Sequence, residues 1–284
     1  MKVTGITIVR DAVRLDFPIL EAVRSILPLV DEMIVNVGTS MDGTLRLLED
    51  ELDIPGVKIV ERRWDDSIGG AMLAAETQVA IDMASGDWIV YVQADEVLHE
   101  SSVDPLKEAM YRHLCNHSVE GLLVDFVHHY CTPDKVATSR RWYRREARVI
   151  RARAGVESFD EAQGFRVDQG RRKVRVCRTE AVYHHYGWSR PRAALATKRR
   201  LDYAIYGRRP PEAEAPILPW QYGIRSFRDS HPALMKDWIR DRRGTFAPIG
   251  RAQWDLDQVR LLASDLIEKC FRIRLWEYRN YVIL

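Results

Sequence analysis

Four short segments carry side chains able to do chemistry. Gln93-Ala94-Asp95-Glu96 sets two carboxylates directly after the apolar run Trp88-Ile89-Val90-Tyr91-Val92. A carboxylate there can hold a divalent metal against phosphate oxygens, or can end a strand and cap the helix expected from about Asp104. Ser158-Phe159-Asp160-Glu161-Ala162-Gln163-Gly164-Phe165 offers two further acids beside a glycine turn, suited to proton transfer or to an ordinary solvated turn. His184-His185-Tyr186-Gly187-Trp188 ends a β-like run with two histidines, a residue type that serves as metal ligand or as hydrogen-bonded structural group. Trp64-Asp65-Asp66-Ser67-Ile68-Gly69-Gly70 precedes a helical pattern from Ala71 to Ala84, so its amides can face phosphate, or Asp65, Asp66 and Ser67 can cap.

The elements that must position these groups alternate between strand and helix. Lys2 to Val9, Glu32 to Val37, Val57 to Glu61 and Trp88 to Val92 read as strands, with helical spacing at Phe17 to Leu29 and Thr44 to Leu52. That rhythm predicts right-handed βαβ units and a largely parallel sheet. Trp88 to Val92 is apolar throughout, as a strand covered on both faces must be. Asp95 and Glu96 therefore sit beyond the carboxyl end of a central strand, where open α/β sheets bind ligands. Arg10 and Asp11 end the first strand in the same way.

From Glu120 to Tyr186 the pattern changes to β-like runs at Gly121 to Phe126, Arg148 to Arg151, Val174 to Cys177 and Ala181 to Tyr186. Helical spacing returns at Ala193 to Tyr206, a proline-rich loop runs from Arg208 to Pro219, and helices are expected near Pro232 to Arg240 and Leu256 to Ile273. The most basic stretch, Ser139 to Arg153, holds seven arginines around Trp142 and Tyr143. It reads as a charged β-hairpin, with an anion-binding or nucleic-acid surface as the alternative. The C-terminal run Phe271 to Tyr281 mixes aromatics with arginines and is expected to pack into the core rather than against a membrane.

Composition excludes several classes. Over 284 residues, 43 basic residues balance 41 acidic ones and 46% are hydrophobic, a globular composition whose net charge names no partner. Cys115, Cys131, Cys177 and Cys270 are widely spaced with no C-x-x-C, which argues against a zinc knuckle or a disulfide framework and for a reducing, cytoplasmic setting. No apolar run approaches the about 18 residues of a membrane span, so membrane contact would be peripheral.

Taken in order, Val30-Asp31-Glu32-Met33-Ile34-Val35, Ser40-Met41-Asp42-Gly43-Thr44, Ala84-Ser85-Gly86-Asp87-Trp88-Ile89 and Gln93-Ala94-Asp95-Glu96 resemble the family 2 nucleotide-sugar glycosyltransferases over about Ile6 to Tyr186. The fourth piece stands in the place of that family's D-x-D, and the chain resembles a subgroup that reads Gln-Ala-Asp-Glu there. The resemblance implies an α/β, GT-A (Rossmann-like) fold with a mixed-sheet half and a helical C-terminal appendage. It implies a domain over residues 1–190, divided into a nucleotide-sugar half (1–100) and an acceptor half (101–190), followed by a helical region (191–284).

By the same resemblance, Asp95 and His185 hold Mn²⁺ or Mg²⁺, and Arg10, Asp66, Gly70, Gln93, Ala94 and Asp95 meet a nucleoside-diphosphate sugar, most simply a UDP-sugar. Glu96 supports them. Glu161, with Asp160 second, is the base that takes the proton of an acceptor hydroxyl in an inverting transfer. The acceptor is a glycan, a lipid-linked group or a small molecule, and nucleic acid is not expected as a partner. Two departures stand out: Gln93 carries no charge, and Val37 and Gly38 replace the aspartate pair usual after the second strand. They leave open a non-catalytic sugar-nucleotide or nucleic-acid binding module that uses the arginine-rich stretch.

Overall fold

A computed structural model of the chain describes residues 1–205, 217–272, 274, 277 and 279–284. The expected loop from Arg208 lies outside the described residues as far as Pro216, as do Ile273, Leu275, Trp276 and Tyr278 of the C-terminal aromatic run. The described strands are β1 (Val3–Val9), β2 (Glu32–Gly38), β3 (Val57–Arg62), β4 (Trp88–Tyr91), β5 (Glu96–Leu98), β6 (Gly121–Tyr130), β7 (Thr132–Ala137), β8 (Arg145–Arg151), β9 (Val156–Phe159), β10 (Gly164–Val167), β11 (Arg172–Trp188), β12 (Ile224–Ser226) and β13 (Tyr281–Ile283). The helices are α1 (Ala12–Leu15), α2 (Ile19–Ile26), α3 (Thr44–Glu51), α4 (Ala71–Met83), α5 (Val103–Arg112), α6 (Arg192–Ile205), α7 (Met235–Asp241) and α8 (Leu256–Phe271).

The main sheet runs β3-β2-β1-β4-β8-β6-β11-β10-β9. Strands β3, β2, β1 and β4 are parallel, and β8 pairs antiparallel with both β4 and β6. The parallel part is the one that the strand and helix rhythm predicts, and the antiparallel β8 opens the mixed half expected after it. Because alternate side chains leave a strand on opposite faces, Val35 and Val90 pack with Val23 and Ile26 of α2 and Met110 of α5, while Ile6, Ile34 and Ile89 pack with Ala80 of α4. Chain order reverses between β1 and β4, and the crevice beyond their carboxyl ends is where the polar segments gather.

Two expectations change. The runs at Val174 and Ala181 form one continuous strand, β11, whose register with β6 shifts between Arg178 and Val182. The intervening charged residues make a bulge, with the Thr179 hydroxyl donating to the Leu123 carbonyl, rather than a turn. The basic stretch is likewise no hairpin of its own, because its second half is β8, inside the sheet.

The region after Pro191 is tied to the rest at several points. β12 pairs with β7, β13 pairs with β11, and Arg242 makes a bidentate contact of 2.6 and 2.7 Å with Asp16. Among the described residues, no helix is long and apolar enough to cross a membrane, and none of the four cysteines is in a disulfide.

Candidate active site

A cavity of about 430 Å³ opens at the β1/β4 reversal. The end of β1 brings Arg10 and Asp11 to it, the segment after β4 brings Gln93, Ala94 and Asp95, and the start of α4 brings Gly70. Glu161 arrives from the β9–β10 turn and His185 and Trp188 from the end of β11, and α6 adds Lys198. Residues separated by as much as 175 positions that the sequence nominated for one site, Arg10 and His185 among them, thus line one cavity.

Asp95 is its most constrained acid. The carboxylate is 6% exposed and accepts a 2.6 Å bond from the guanidinium of Arg190, which is itself fully buried. Burial alone would raise the Asp95 pKa, but His185, Arg190 and Lys198 outweigh it and hold the carboxyl well below the usual carboxylate range. Arg190 lies 4.0 Å over the Phe17 ring and also donates to the carbonyls of Leu15 and Gly187, so Asp95 is fixed in place.

A longer oxygen-to-nitrogen approach in the cavity is that of His185 to Asp95. His185 Nε2 stands 3.7 Å from Asp95 Oδ2, beyond hydrogen-bond range. A Cβ on Gly187 would lie 2.8 Å from both Asp95 Oδ2 and His185 Cε1, so only glycine leaves that space open. The ring's tautomer follows from its neighbours. His128 Nε2 meets the Tyr143 carbonyl at 2.6 Å, and a carbonyl only accepts, so His128 carries its proton on Nε2. Burial lowers the His128 pKa far below its ordinary value and keeps the ring neutral, so its Nδ1 is an acceptor. His185 Nδ1, 3.0 Å away, donates to it, which turns Nε2 toward Asp95. The carboxylate and the imidazole nitrogen face each other across 3.7 Å, and this donor set, with His128 as outer hydrogen-bond partner, fits a divalent cation once Nε2 has given up its proton.

The remaining candidates divide. Gln93 Nε2 donates to the Ala162 carbonyl at 3.0 Å, and Arg148 donates to the Gln163 carbonyl at 2.9 Å. Together they hold the turn that carries Glu161. Asp160 sits in a left-handed position (φ 59°) of that turn, is exposed and does not line the cavity, so the turn presents Glu161 alone. Asp66 also stays outside the lining and instead pairs with Arg10 at 2.7 Å. Asp65 caps the short turn at Asp66–Ile68, accepting from the Ser67 amide.

Glu96 does not face the cavity. It is fully buried and makes a bidentate pair with Arg148 at 2.7 and 2.8 Å. Other arginines of the basic stretch are also engaged with the rest of the fold, at the surface as well as inside it. Arg151 donates to the carbonyls of His113, Leu114, Asn116 and Val119, Arg144 pairs with Glu268 and Glu277, and Arg145 pairs with Asp125. Gly38, where an aspartate was expected, has a structural reason: a Cβ there would lie 2.8 Å from Trp64 and 2.9 Å from Arg10. Sequence reasoning missed Arg190, His128 and Lys198, and of these only Arg190 follows closely on a quoted motif.

Solved structures that align include S. aureus TarS 1-349 (15% identity, TM-score 0.40, over 72% of this chain and 65% of that one). The same protein in complex with UDP-GlcNAc aligns at 21% identity and TM-score 0.35, over 45% and 35%. The mannosyltransferase PcManGT from Pyrobaculum calidifontis in complex with GDP-Man and Mn²⁺ aligns at 22% and 0.33, over 43% and 34%. The chain thus spans between 34% and 65% of the length of these proteins. No curated protein matches it. The family described as glycosyl transferase family 2 matches residues 18–175, more than half of the chain and every strand from β2 to β10, and the chain belongs to that family.

Proposed function

We propose that the chain is an inverting glycosyltransferase that moves a sugar from a nucleoside diphosphate, most simply UDP, to an acceptor hydroxyl. The observation that carries this reading is the convergence of Asp95, His185, Gln93, Arg10, Gly70 and Glu161 on one cavity at the sheet's switch point. Asp95 and His185 would hold Mn²⁺ or Mg²⁺, which supplies positive charge to the leaving diphosphate. Arg10 and Lys198 add fixed positive charge to the cavity lining. Glu161 takes the proton from the acceptor hydroxyl as its oxygen bonds to the anomeric carbon, and the bond from that carbon to the diphosphate breaks with its electron pair leaving on the diphosphate. The Gln-Ala-Asp-Glu segment works as a unit in this reading: Asp95 binds, Gln93 positions the base turn, and Glu96 anchors the segment through Arg148.

Residues 1–190 serve as the catalytic domain, with 1–100 as its donor half and 101–190 as its acceptor half. The region 191–284 shapes the acceptor side. A second cavity, about 570 Å³ and lined by Trp142, Trp188, Trp220 and Gln221, supports that division, since Trp188 belongs to both cavities. Calorimetric titration with UDP-, GDP- and dTDP-sugars, with and without Mn²⁺, tests the reading on wild type and Asp95→Asn. Metal-dependent binding of one nucleotide class, lost in the variant, is expected. Failure of every donor to bind folded wild type overturns it.

A further inference from the structure

The strands that carry His128 and His185 also carry a second pair of histidines on their opposite face. His129 of β6 and His184 of β11 meet there, and the turn Ser230-His231-Pro232 ahead of α7 brings a third ring. One ring nitrogen from each of the three lies within 4.8 Å of the others. His129 and His184 are 0% and 3% exposed, and His231 is partly buried. We propose that His129, His184 and His231 bind a transition-metal ion of the Zn²⁺ type, at a site separate from the donor cavity.

Three arguments support the assignment. The first is outer-shell geometry: His129 Nδ1 donates to the Pro133 carbonyl at 2.7 Å, which fixes its proton there and leaves Nε2 with a lone pair toward the cluster. His231 Nδ1 meets the Tyr186 hydroxyl at 2.9 Å. Ligating histidines are ordinarily oriented by partners of this kind. The second is the donor set. It contains three imidazoles and no carboxylate, a soft combination that suits Zn²⁺, Co²⁺ or Ni²⁺ and not Mg²⁺ or Ca²⁺. The third is enclosure: Tyr186 stacks on His129 at 4.4 Å and 8°, and Phe227 meets its edge at 4.9 Å, so solvent cannot easily take the place of a ligand.

His129 Nε2 and His184 Nδ1 are 3.0 Å apart and share a proton in the metal-free protein. A tetrahedral ion with metal–nitrogen bonds of about 2.0–2.1 Å needs ligand nitrogens about 3.3 Å apart. The two strand histidines therefore separate by a few tenths of an ångström and His231 closes on them. His184 keeps its neutral charge by moving its proton from Nδ1 to Nε2. The bound ion ties the turn before α7 to the two strands, a function independent of sugar transfer.

The test begins with chelator-stripped full-length protein titrated with Zn²⁺, with Mg²⁺ in excess as competitor. One equivalent of Zn²⁺ should bind in wild type and in Asp95→Asn, and His231→Gln should bind it at least tenfold more weakly. Because His231 lies on a turn, the variant's circular dichroism should match wild type. Should it not, zinc-edge anomalous diffraction of the wild type replaces it, with a peak among the three rings expected. No Zn²⁺ bound by wild type, a site lost in Asp95→Asn but kept in His231→Gln, or an anomalous peak only beside Asp95 overturns the proposal.

Discussion

Two faces of one strand pair carry the same residue type to different ends. On the crevice face of β6 and β11, His128 and His185 pair in register, and the first sets the tautomer of the second so that Nε2 confronts a carboxylate. On the opposite face, His129 and His184 form a similar 3.0 Å nitrogen-to-nitrogen contact but confront more rings: Tyr186, Phe227 and His231. The period of a strand guarantees that neighbouring histidines part company in this way. What differs is the third partner. An acid beside one pair makes a mixed oxygen and nitrogen site suited to phosphate-binding ions, whereas a histidine beside the other makes an all-nitrogen site.

The largest effects belong to the crevice face. Glu161→Gln keeps the shape of an exposed side chain and removes its basicity, so transfer should fall about 10²–10⁴-fold, the usual weight of a general base, with donor affinity unchanged. Single-turnover kinetics with saturating donor reads this directly, and a variant retaining wild-type turnover would assign the proton to another group. Gly187→Ala puts a methyl group between Asp95 and His185 and should weaken metal-dependent donor binding on the order of 100-fold. Calorimetry in Mn²⁺ measures it, and unchanged affinity would mean that no ion occupies the gap.

Smaller effects sharpen the contrast between the faces. His128→Gln touches no ligand atom, yet by releasing the His185 tautomer it should cost about 10–100-fold in metal affinity. His129→Gln, its counterpart across the sheet, should leave donor binding within about twofold and instead lower stability by about 1–3 kcal/mol, since buried partners lose their bond. Equal effects of both variants on donor binding would show that the two faces act as one.

How much of this could be read from the sequence follows the range of the interactions involved. That Asp95 and the Asp160-Glu161 turn lie near one crevice was legible from local pattern, one following an all-apolar strand and the other beside a glycine turn, but the preference for Glu161 over Asp160 came from the family resemblance. The four parallel strands up to β4 were legible for the same reason. The environment of those acids was not. Arg190 reaches Asp95 across 95 positions and Arg148 reaches Glu96 across 52, and neither arginine looks buried by residue type. The seven arginines near Trp142 read as a charged hairpin, whereas two of them, Arg148 and Arg151, are buried and bind Glu96 and backbone carbonyls. The opposite-face histidine cluster was hidden likewise, since His231 comes from a turn 102 positions beyond His129 whose sequence assigns it no chemistry.

A final contrast comes from an acid on the neighbouring strand, away from both histidine pairs. Glu146 of β8 is 1% exposed, its Oε1 finds no partner, and burial, only partly offset by Arg148, pushes its pKa up from 4.5 to about 7. Between those values the folded protein holds a proton that the unfolded chain has released, so stability falls as pH rises through this window and the loss is complete above it. Glu146→Gln removes the titration. The variant should match wild type near pH 4.5 and gain about 1–3 kcal/mol over it by pH 8, the worth of a shift of this size after allowance for local relaxation. Urea unfolding at a series of pH values measures the difference, and a stability gap that does not change with pH would show that Glu146 is ionised in the fold. The ionised form that His185, Arg190 and Lys198 stabilise at Asp95 is thus unfavourable on the adjacent strand, and the charge beside each acid decides which of the two is ionised at neutral pH.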